Sequence, residues 1–291
     1  MKIKLRAQLH HTGQDGALWG DLLFRFNANG HCCVFDAAAL DTAADAPVTL
    51  PRIAEFWVGK NEPVVPHFNA VVFGCEYYAE GDEFPLLYAN IYNNYAKAED
   101  RLEGVCCVYR LERDGGSFKT TLVQLIRIGF AQDKTLWMSD GEQPDVRPYG
   151  NFVIDCEKKL LHAFVMRDAP HTTRYFSFAL PKLADGAFSE RFGVRVVTLM
   201  PEDIKAQFDV PYHHFIQGAC LHSGRIYSSE GFNEKIHPAL RVIDPAEQRQ
   251  LAHIDLVDKG YTVEAEWIDF RGETCYYCDA RGDVFEVEFD L

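Results

Sequence analysis

The chain has 291 residues, of which 47% are hydrophobic and 25% are charged, and its formal net charge at pH 7 is −14. This composition predicts a soluble globular protein that is long enough to bury a large core. The negative charge repels phosphate backbones and anionic membranes, and no cluster of lysine and arginine offsets it. We therefore expect neither a nucleic-acid partner nor a membrane partner.

The N-terminus and the nine cysteines predict a cytoplasmic protein. Residues 1–6 lack the apolar core of a signal peptide, and no apolar run is long enough to cross a bilayer. The cysteines are odd in number, and the adjacent pairs Cys32–Cys33 and Cys106–Cys107 are each followed by valine, which is typical of buried, reduced side chains. The segment Cys275–Cys278 is read as a strand, so its two cysteines point to opposite faces, which is unfavourable for a redox or zinc motif.

Short apolar runs separated by turn residues follow one another along the whole chain. Residues 2–8 alternate polar and apolar side chains, which predicts a strand with one exposed face. Groups of strands then recur, with Gly, Asn or Asp at the turns between them. The predicted groups span residues 10–57, 67–128, 149–199, 213–257 and 262–291. A segment that starts with Pro201 and two acidic residues predicts one short helix at residues 201–208.

The groups are divergent copies of one unit. Two of them begin with a histidine pair, His10–His11 and His213–His214, which is followed by Gln and then by Gly-Ala. The last group contains only three strands, so the strand at residues 2–8 is expected to supply its fourth. A repeat that uses both ends of the chain in this way predicts a closed ring.

This plan resembles the β-propeller superfamily, in which four-stranded blades surround a central channel and closure of the ring removes the sheet edges. The resemblance covers essentially the whole chain and rests on the repeat plan and the strand count, because the signatures of WD and kelch repeats are absent. It implies an all-β protein with one domain over residues 1–291 and five four-stranded blades. A sixth blade would require further strands in residues 40–66 or 129–148.

The resemblance also implies a site at the mouth of the channel. In propellers, the start of each innermost strand and the turn between the second and third strands lie on the same face. Polar residues at these positions are therefore expected to meet. The predicted ligand-binding residues are His11, His67, Asn69, Tyr95, Arg147, Tyr149, Asn151, Arg167, His214, Tyr261 and Glu264.

Histidines at equivalent strand starts are the strongest functional signal in the sequence. Neutral imidazoles bind divalent ions such as zinc or iron, so His11, His67 and His214 are predicted metal ligands. The same side chains could instead hold neighbouring blades together through hydrogen bonds. Tyr and Asn residues in segment 90–95 suit sugars, and Arg147 or Arg167 could clamp an anionic group or form a salt bridge between blades.

No motif of a serine hydrolase, a zinc protease or a nucleotide-phosphate site occurs in the sequence. We expect a propeller that binds a polar small molecule or a glycan fragment at the channel mouth. Two alternatives stay open. One is a hydrolase or lyase that uses histidine or a divalent metal ion on a carbohydrate-like substrate, and the other is a scaffold for protein partners. The sequence does not decide whether the protein is an enzyme.

Overall fold

The apolar runs of the sequence form strands, and the strands form five sheets that are arranged in a ring. The computed structural model describes residues 1–41, 46–59, 63–91, 97, 100, 102, 104–131, 151–167, 171–212, 215–232 and 236–291, except for the side chains of residues 69 and 167. The prediction of an all-β, five-bladed β-propeller is confirmed.

The first strand of the chain, β1 (Lys2–Gln8), completes the last blade rather than the first. Blade 5 consists of β21 (Ala265–Arg271), β22 (Thr274–Asp279), β23 (Asp283–Glu288), β1 and the short β5 (Val48–Thr49), in that order. β1 runs antiparallel to β23, with Ile3 opposite Val287, and parallel to β5. The predicted closure of the ring by the N-terminal strand is therefore confirmed.

Blades 1 and 4 each contain four antiparallel strands. The strands of blade 1, from the axis outwards, are β2 (Asp15–Trp19), β3 (Leu22–Phe26), β4 (His31–Asp36) and β6 (Arg52–Trp57). Those of blade 4 are β17 (Ile216–His222), β18 (Arg225–Phe232), β19 (Ile236–Asp244) and β20 (Arg249–Asp255). Both blades lie within the ranges that the sequence predicts for them.

Blade 2 is wider than the other blades. Its strands are β7 (Phe68–Phe73), β8 (Leu87–Ile91), β9 (Val105–Asp114), β10 (Ser117–Ile128), β15 (Val194–Leu199) and β14 (Ala187–Ser189). Blade 3 consists of β11 (Asn151–Asp155), β12 (Leu160–Arg167), β13 (Thr172–Ala179) and β16 (Ile204–Pro211). Blade 2 therefore includes two strands that follow blade 3's third strand in the sequence.

The outer strand of blade 3 corrects two predictions. The predicted third group spans residues 149–199, so its last apolar run, residues 194–199, is the expected outer strand of this blade. These residues instead form β15, which pairs in parallel with β10. Residues 201–208 were expected to be helical, but only Pro201–Asp203 form a single 3-10 turn, and β16 follows. In β16 the buried Phe208 and Val210 alternate with exposed neighbours, and this period of two favours a strand over a helix.

Neighbouring blades pack against each other through apolar layers, since each face of a blade is covered by the next blade in the ring. The described residues form five such layers, one at each boundary between blades. Representative side chains are Phe24 and Phe68 between blades 1 and 2, Tyr88 and Phe152 between blades 2 and 3, Tyr175 and Ile226 between blades 3 and 4, Tyr227 and Tyr277 between blades 4 and 5, and Trp267 and Phe35 between blades 5 and 1.

The cysteines contribute to these layers as small apolar side chains. Cys32 lies between blades 1 and 2, whereas its neighbour Cys33 lies between blades 5 and 1. Cys275 and Cys278 likewise lie in two different layers, as their predicted strand positions require. None of the nine cysteines, all of which the structure describes, forms a disulfide bond. Among the residues that the structure describes, no helix has the length and apolar character needed to cross a bilayer.

The exposure of the cysteines predicts how the native protein reacts with a thiol reagent. Cys75 and Cys156 are partly exposed, and the other seven cysteines are buried. We expect a chromogenic disulfide reagent to modify Cys75 rapidly in the native protein and Cys156 more slowly, because burial and the neighbouring Cys75 raise the pKa of the Cys156 thiol to about 12. All nine thiols should react after unfolding in denaturant. The Cys75→Ser variant should lose the fast-reacting thiol, whereas reaction of a third thiol in the native protein would contradict the burial.

Candidate functional site

The five innermost strands start at the same end of the propeller, which we call the mouth. At this end, residues at the start of an innermost strand form backbone hydrogen bonds with the turn between the second and third strands of the same blade. The amide of Gln14 donates to the carbonyl of Phe26, that of Gly231 to Phe215, and that of Ala280 to Glu264. These bonds form the face that was expected to carry the site.

Asp15, the first residue of β2, connects three blades near the axis. One of its carboxylate oxygens accepts a hydrogen bond from the amide of Val71 in blade 2 at 2.5 Å. The other lies 2.7 Å from the position that a Cβ on Gly218 in blade 4 would occupy, so residue 218 must lack a side chain. Burial raises the pKa of Asp15 well above its usual range, although hydrogen bonds from backbone amides oppose this effect.

A chain of amide and carboxylate groups joins the starts of the innermost strands of blades 3, 4 and 5. The Asn151 side chain in blade 3 donates to the carbonyl of Gln217 in blade 4 at 3.0 Å. The Gln217 side chain in turn donates to Glu264 at 2.5 Å and to the carbonyl of Gly231 at 2.8 Å. Because two of these three side chains are buried, the bonds fix the position of the Glu264 carboxylate at the mouth.

Blades 1 and 2 are joined in a similar way. The Nε2 atom of His67, just before β7, lies 3.0 Å from the Oε1 atom of Gln14, just before β2. This contact across a blade boundary agrees with the structural alternative that the sequence leaves open for the strand-start histidines. His67 is only partly buried, so its ring also reaches the mouth surface.

A fully buried guanidinium lies beneath the mouth. Arg25, on β3, donates from Nη2 to the carbonyls of Gly13 at 2.7 Å and Asp279 at 3.4 Å. Within the part of the chain that the structure describes, its Nε and Nη1 atoms have no hydrogen-bond partner. Its positive charge lowers the pKa of Asp15, but burial of that carboxyl has the larger effect and raises the pKa.

A cavity of about 520 Å³ opens at the mouth between blades 4 and 5. Glu264 forms part of its wall, together with the exposed Arg281 and His237. The Nδ1 atom of His237 lies 2.8 Å from the carboxylate of Asp255, which orients the imidazole. The remaining lining residues are mostly apolar: Pro238, Val257, Thr262, Val263 and Ala280. The cavity therefore combines fixed hydrogen-bonding groups with an apolar wall.

Aromatic rings stand at the same end of blades 3 and 4. Phe215 and Phe232 stack with ring centroids 5.0 Å apart, and Phe232 is 41% exposed. His171, in the turn of blade 3, stacks on Tyr212 with centroids 4.1 Å apart. Phe232 pairs with Ile236, the residue before His237, so the aromatic pair and the cavity share one end of blade 4.

The structure brings some of the predicted site residues together and separates others. Asn151, His67 and Glu264 lie at the mouth as expected. The hydroxyl of Tyr261 donates to the carbonyl of Ile3 at 3.3 Å, and its ring packs on Phe285, so it belongs to the layer between blades 4 and 5. Four predicted residues lie outside the described part of the chain: Tyr95, Arg147, Tyr149 and His214. For Asn69 and Arg167, the structure describes the backbone but not the side chain.

The strand-start histidines that are described do not converge. His10 has φ of 49° and lies near the hydroxyl of Thr49, whereas His67 contacts Gln14. His11 faces the third strand of blade 1, where its ring lies beside His31 and the Nδ1 atom is 4.0 Å from the sulfur of Cys33. The structure thus places His11 and His67 in different surroundings, and the contribution of His214 to a metal site stays a prediction.

Several residues of the mouth do not belong to the predicted set. Asp15, Gln217 and Glu266 are buried polar residues at strand starts, and Arg25 and Asp279 lie beside them. A usable signal was present for one of them, because Gln217 recurs with Gln14 in the repeated Gln and Gly-Ala pattern. For Arg25, which is the fourth residue of the otherwise apolar strand β3, the unusual charge was the only signal.

His11, His31 and Cys33 form the one group of metal-ligating side chains found among the described residues. One ligand atom from each lies within 4.8 Å of the others. Burial lowers the pKa of His11, and the charges of Arg25 and His31 lower it further, which keeps the imidazole neutral at pH 7. Burial also raises the pKa of the Cys33 thiol, while the neighbouring Arg52 opposes this effect.

No protein-family model matches the chain, and no curated protein matches it. Among solved structures, glutaminyl cyclase of Myxococcus xanthus is similar over 99% of this chain and 94% of its own, with a TM-score of 0.48 and 12% identity. The computationally designed Ika8 protein has a TM-score of 0.37 and 10% identity, with 98% of this chain and 100% of its own covered. Hydrazine synthase of Kuenenia stuttgartiensis has a TM-score of 0.39 and 10% identity, with 90% of this chain and 60% of its own covered. These distant likenesses concern the fold alone.

Proposed function

We propose that the protein binds a small polar molecule of the sugar type in the cavity between blades 4 and 5 at the mouth. The observation that carries this proposal is the position of Glu264. Its carboxylate is held by Gln217 and forms part of the wall of a cavity of about 520 Å³. Ligand sites in proteins commonly have volumes of roughly 300–1,000 Å³ and combine an apolar lining with a few fixed polar groups.

The lining supports a ligand with several hydroxyl groups. The Glu264 carboxylate accepts hydrogen bonds, the Arg281 guanidinium donates them, and the His237 imidazole can donate or accept one. Pro238, Val257 and Val263 offer an apolar wall to the C–H face of a sugar ring. The stacked Phe215 and Phe232 at the same end of blade 4 could contact a second sugar unit.

The proposal predicts that Glu264→Gln weakens ligand binding by about tenfold to hundredfold, because a hydrogen bond to a charged group contributes about 1.5–3 kcal/mol. The amide keeps an acceptor for Gln217, so the fold should be unchanged. Neutral, amino and acidic mono- and disaccharides would be screened for thermal stabilisation, and the affinity of each hit would then be measured by titration calorimetry. A ligand at 100 times its Kd should stabilise the native protein by about 2.7 kcal/mol.

Glu273→Gln is the matched control. Glu273 lies in the hairpin between β21 and β22, on the face opposite the mouth, and its side chain is 90% exposed. This variant should bind like the wild-type protein. Equal affinity of Glu264→Gln and wild type would show that the ligand does not use this cavity, and a panel without a single stabilising sugar would remove the sugar class.

A protein-binding role is the second candidate, and a different surface favours it. Phe188 on β14 is 65% exposed beside a groove of about 560 Å³ at the outer edge of blade 2. Phe192 and Leu102 also line this groove. Exposed apolar side chains around a groove are typical of partner surfaces. Phe188→Ser should leave sugar binding intact, which separates the two candidates.

A further inference from the structure

A group of nitrogen and sulfur ligands lies at the junction where the propeller ring closes. His11 belongs to the connection that leads from β1 in blade 5 to β2 in blade 1, and His31 and Cys33 lie on β4. Residues two apart on a strand point to the same face, so β4 presents the imidazole and the thiol side by side. His11 then approaches them from the connection, with its Nδ1 atom 4.0 Å from the Cys33 sulfur.

The distances suit a tetrahedral metal ion after a small rearrangement. The three ligand atoms lie within 4.8 Å of one another. With Zn–S of about 2.3 Å and Zn–N of about 2.0–2.1 Å, neighbouring ligand atoms around zinc are about 3.4–3.6 Å apart. A contraction of up to about 1.2–1.4 Å, which side-chain rotation can supply, therefore brings the group to coordination geometry. The rings of His11 and His31 already stand at 74° to each other, with centroids 6.3 Å apart.

The surroundings of His11 do not give its imidazole another structural role. Within the described residues, its Nε2 atom is buried and has no hydrogen-bond partner, and its Nδ1 atom faces only the cysteine sulfur. Buried polar atoms in native proteins usually have a partner. A metal ion shared with Cys33 would bind the Nδ1 atom, would replace the long 4.0 Å contact between Nδ1 and the sulfur with two metal–ligand bonds, and would leave the surroundings of Nε2 as they are.

Glu55 on β6 can complete the ligand set. Its carboxylate lies 3.7 Å from the Nε2 atom of His31, and Arg52 lies 3.4 Å from the same carboxylate and 3.8 Å from the Cys33 sulfur. The Arg52 side chain is 56% exposed, so it can swing away into solvent when a cation enters. Trp57 packs on the His31 ring, with centroids 4.9 Å apart, and limits the motion of that ligand.

We propose that His11, His31 and Cys33 form a zinc site, with Glu55 or water as the fourth ligand. Thiolate and imidazole ligands select zinc over calcium and magnesium, which prefer oxygen. The site is separate from the sugar cavity between blades 4 and 5. Because His11 lies on the connection between the closing strand and blade 1, bound zinc links the two sides of the ring closure.

The test uses cobalt as a spectroscopic probe of the metal-free protein. After dialysis against a chelator, the full chain should bind one equivalent of Co²⁺ and show a sulfur-to-cobalt charge-transfer band, which one equivalent of Zn²⁺ should remove. Cys33→Ala should lose the band. Cys32→Ala is the matched control, because Cys32 is the adjacent, equally buried cysteine on the opposite face of β4, and it should keep the band.

Two further variants keep the test decisive if Cys33→Ala fails to fold. His31→Gln, at a partly exposed position, should weaken zinc binding at least tenfold in competition with a chromogenic chelator. His67→Gln should leave zinc binding unchanged, since this histidine contacts Gln14. Zinc at 100 times its Kd should also raise the melting temperature by roughly 5 °C. Absence of the band in wild type, its persistence in Cys33→Ala, or its loss in His67→Gln instead of His31→Gln would overturn the proposal.

Discussion

Replacement of Arg241 by alanine is expected to lower the free energy of unfolding by about 3–5 kcal/mol. Arg241 lies in β19, and its guanidinium holds the carboxylate of Glu230 with two hydrogen bonds of 2.5 and 3.0 Å. It also donates to Gln250 and, at 3.1 Å, to the carbonyl of Tyr212. Both charged side chains are only 2% exposed, so loss of the guanidinium leaves a buried carboxylate without its counter-charge.

Urea denaturation at pH 7 would measure this loss. Arg249→Ala is the matched control, because Arg249 lies on the neighbouring strand β20 and pairs with Glu247 at the surface, where both side chains are more than half exposed. An exposed pair of this kind contributes less than about 1 kcal/mol. The double replacement Arg241→Met with Glu230→Gln should recover part of the lost stability. Equal effects of Arg241→Ala and Arg249→Ala would contradict a buried ion pair.

The stability of the protein is expected to fall by up to about 3 kcal/mol between pH 4 and pH 7 because of one carboxyl, Asp269. Asp269 lies in β21 and accepts hydrogen bonds from the amides of Leu18 and Phe270, each at 2.8 Å. Burial raises its pKa to about 6 in the folded protein. The folded state therefore binds the proton more tightly than the unfolded chain does. Its contribution is fully present below pH 4 and is lost as pH rises through about 6.

Asp269→Asn should remove this part of the pH dependence, because the amide never ionises. It keeps one of the two acceptor oxygens, so the lost hydrogen bond lowers stability equally at both pH values and cancels in the comparison. The measurement is the difference in unfolding free energy between wild type and variant at pH 4.5 and at pH 7.5, which cancels the contributions of other carboxyls such as Asp15. Between these two pH values, the difference should shift by about 2 kcal/mol in favour of the variant at the higher pH. Asp114→Asn, at an exposed hairpin position, is the control for replacing an aspartate by asparagine. A flat difference for Asp269→Asn would contradict the raised pKa.

The ring of blades could be predicted from the sequence because each blade repeats local features. Turn residues and short apolar runs specify hairpins, and the spare strand at residues 2–8 matches the incomplete last unit. The partner with which a strand pairs is not encoded in the same local way. Residues 194–199 read correctly as a strand, but their parallel pairing with β10 joins segments about 70 residues apart, and no local pattern encodes it. At residues 201–208, the Pro and acidic residues signalled a helix start and outweighed the alternation that follows.

The candidate site could be predicted only in part, for a geometric reason. Equivalent positions in the sequence point in the same direction only if the strands start with the same backbone conformation. In this protein the ladders shift register at Phe68/Val71, Ile216/Ala219 and Ala265/Trp267, near three of the strand starts. Each such irregularity redirects side chains. Glu264 and Asn151 lie at the mouth, whereas His11 turns towards β4 and Tyr261 towards Ile3.

The position of β15 has a consequence for how the chain avoids association with its own copies. The C-terminal part of β10, Gln124–Ile128, carries Leu125, Ile126 and Ile128. Without a neighbouring strand, it would expose unpaired backbone groups flanked by these apolar side chains. Such an edge is a template for strands of other molecules. β15 occupies this edge, and buried Gln124 anchors the loop before β14 through the carbonyl of Lys182 at 2.7 Å. Among the described strands, the outer edge of the sheet then consists of the three-residue β14 and residues 197–199 of β15. Blade 2 is thus protected from aggregation by β15, which lies after the first three strands of blade 3 in the sequence.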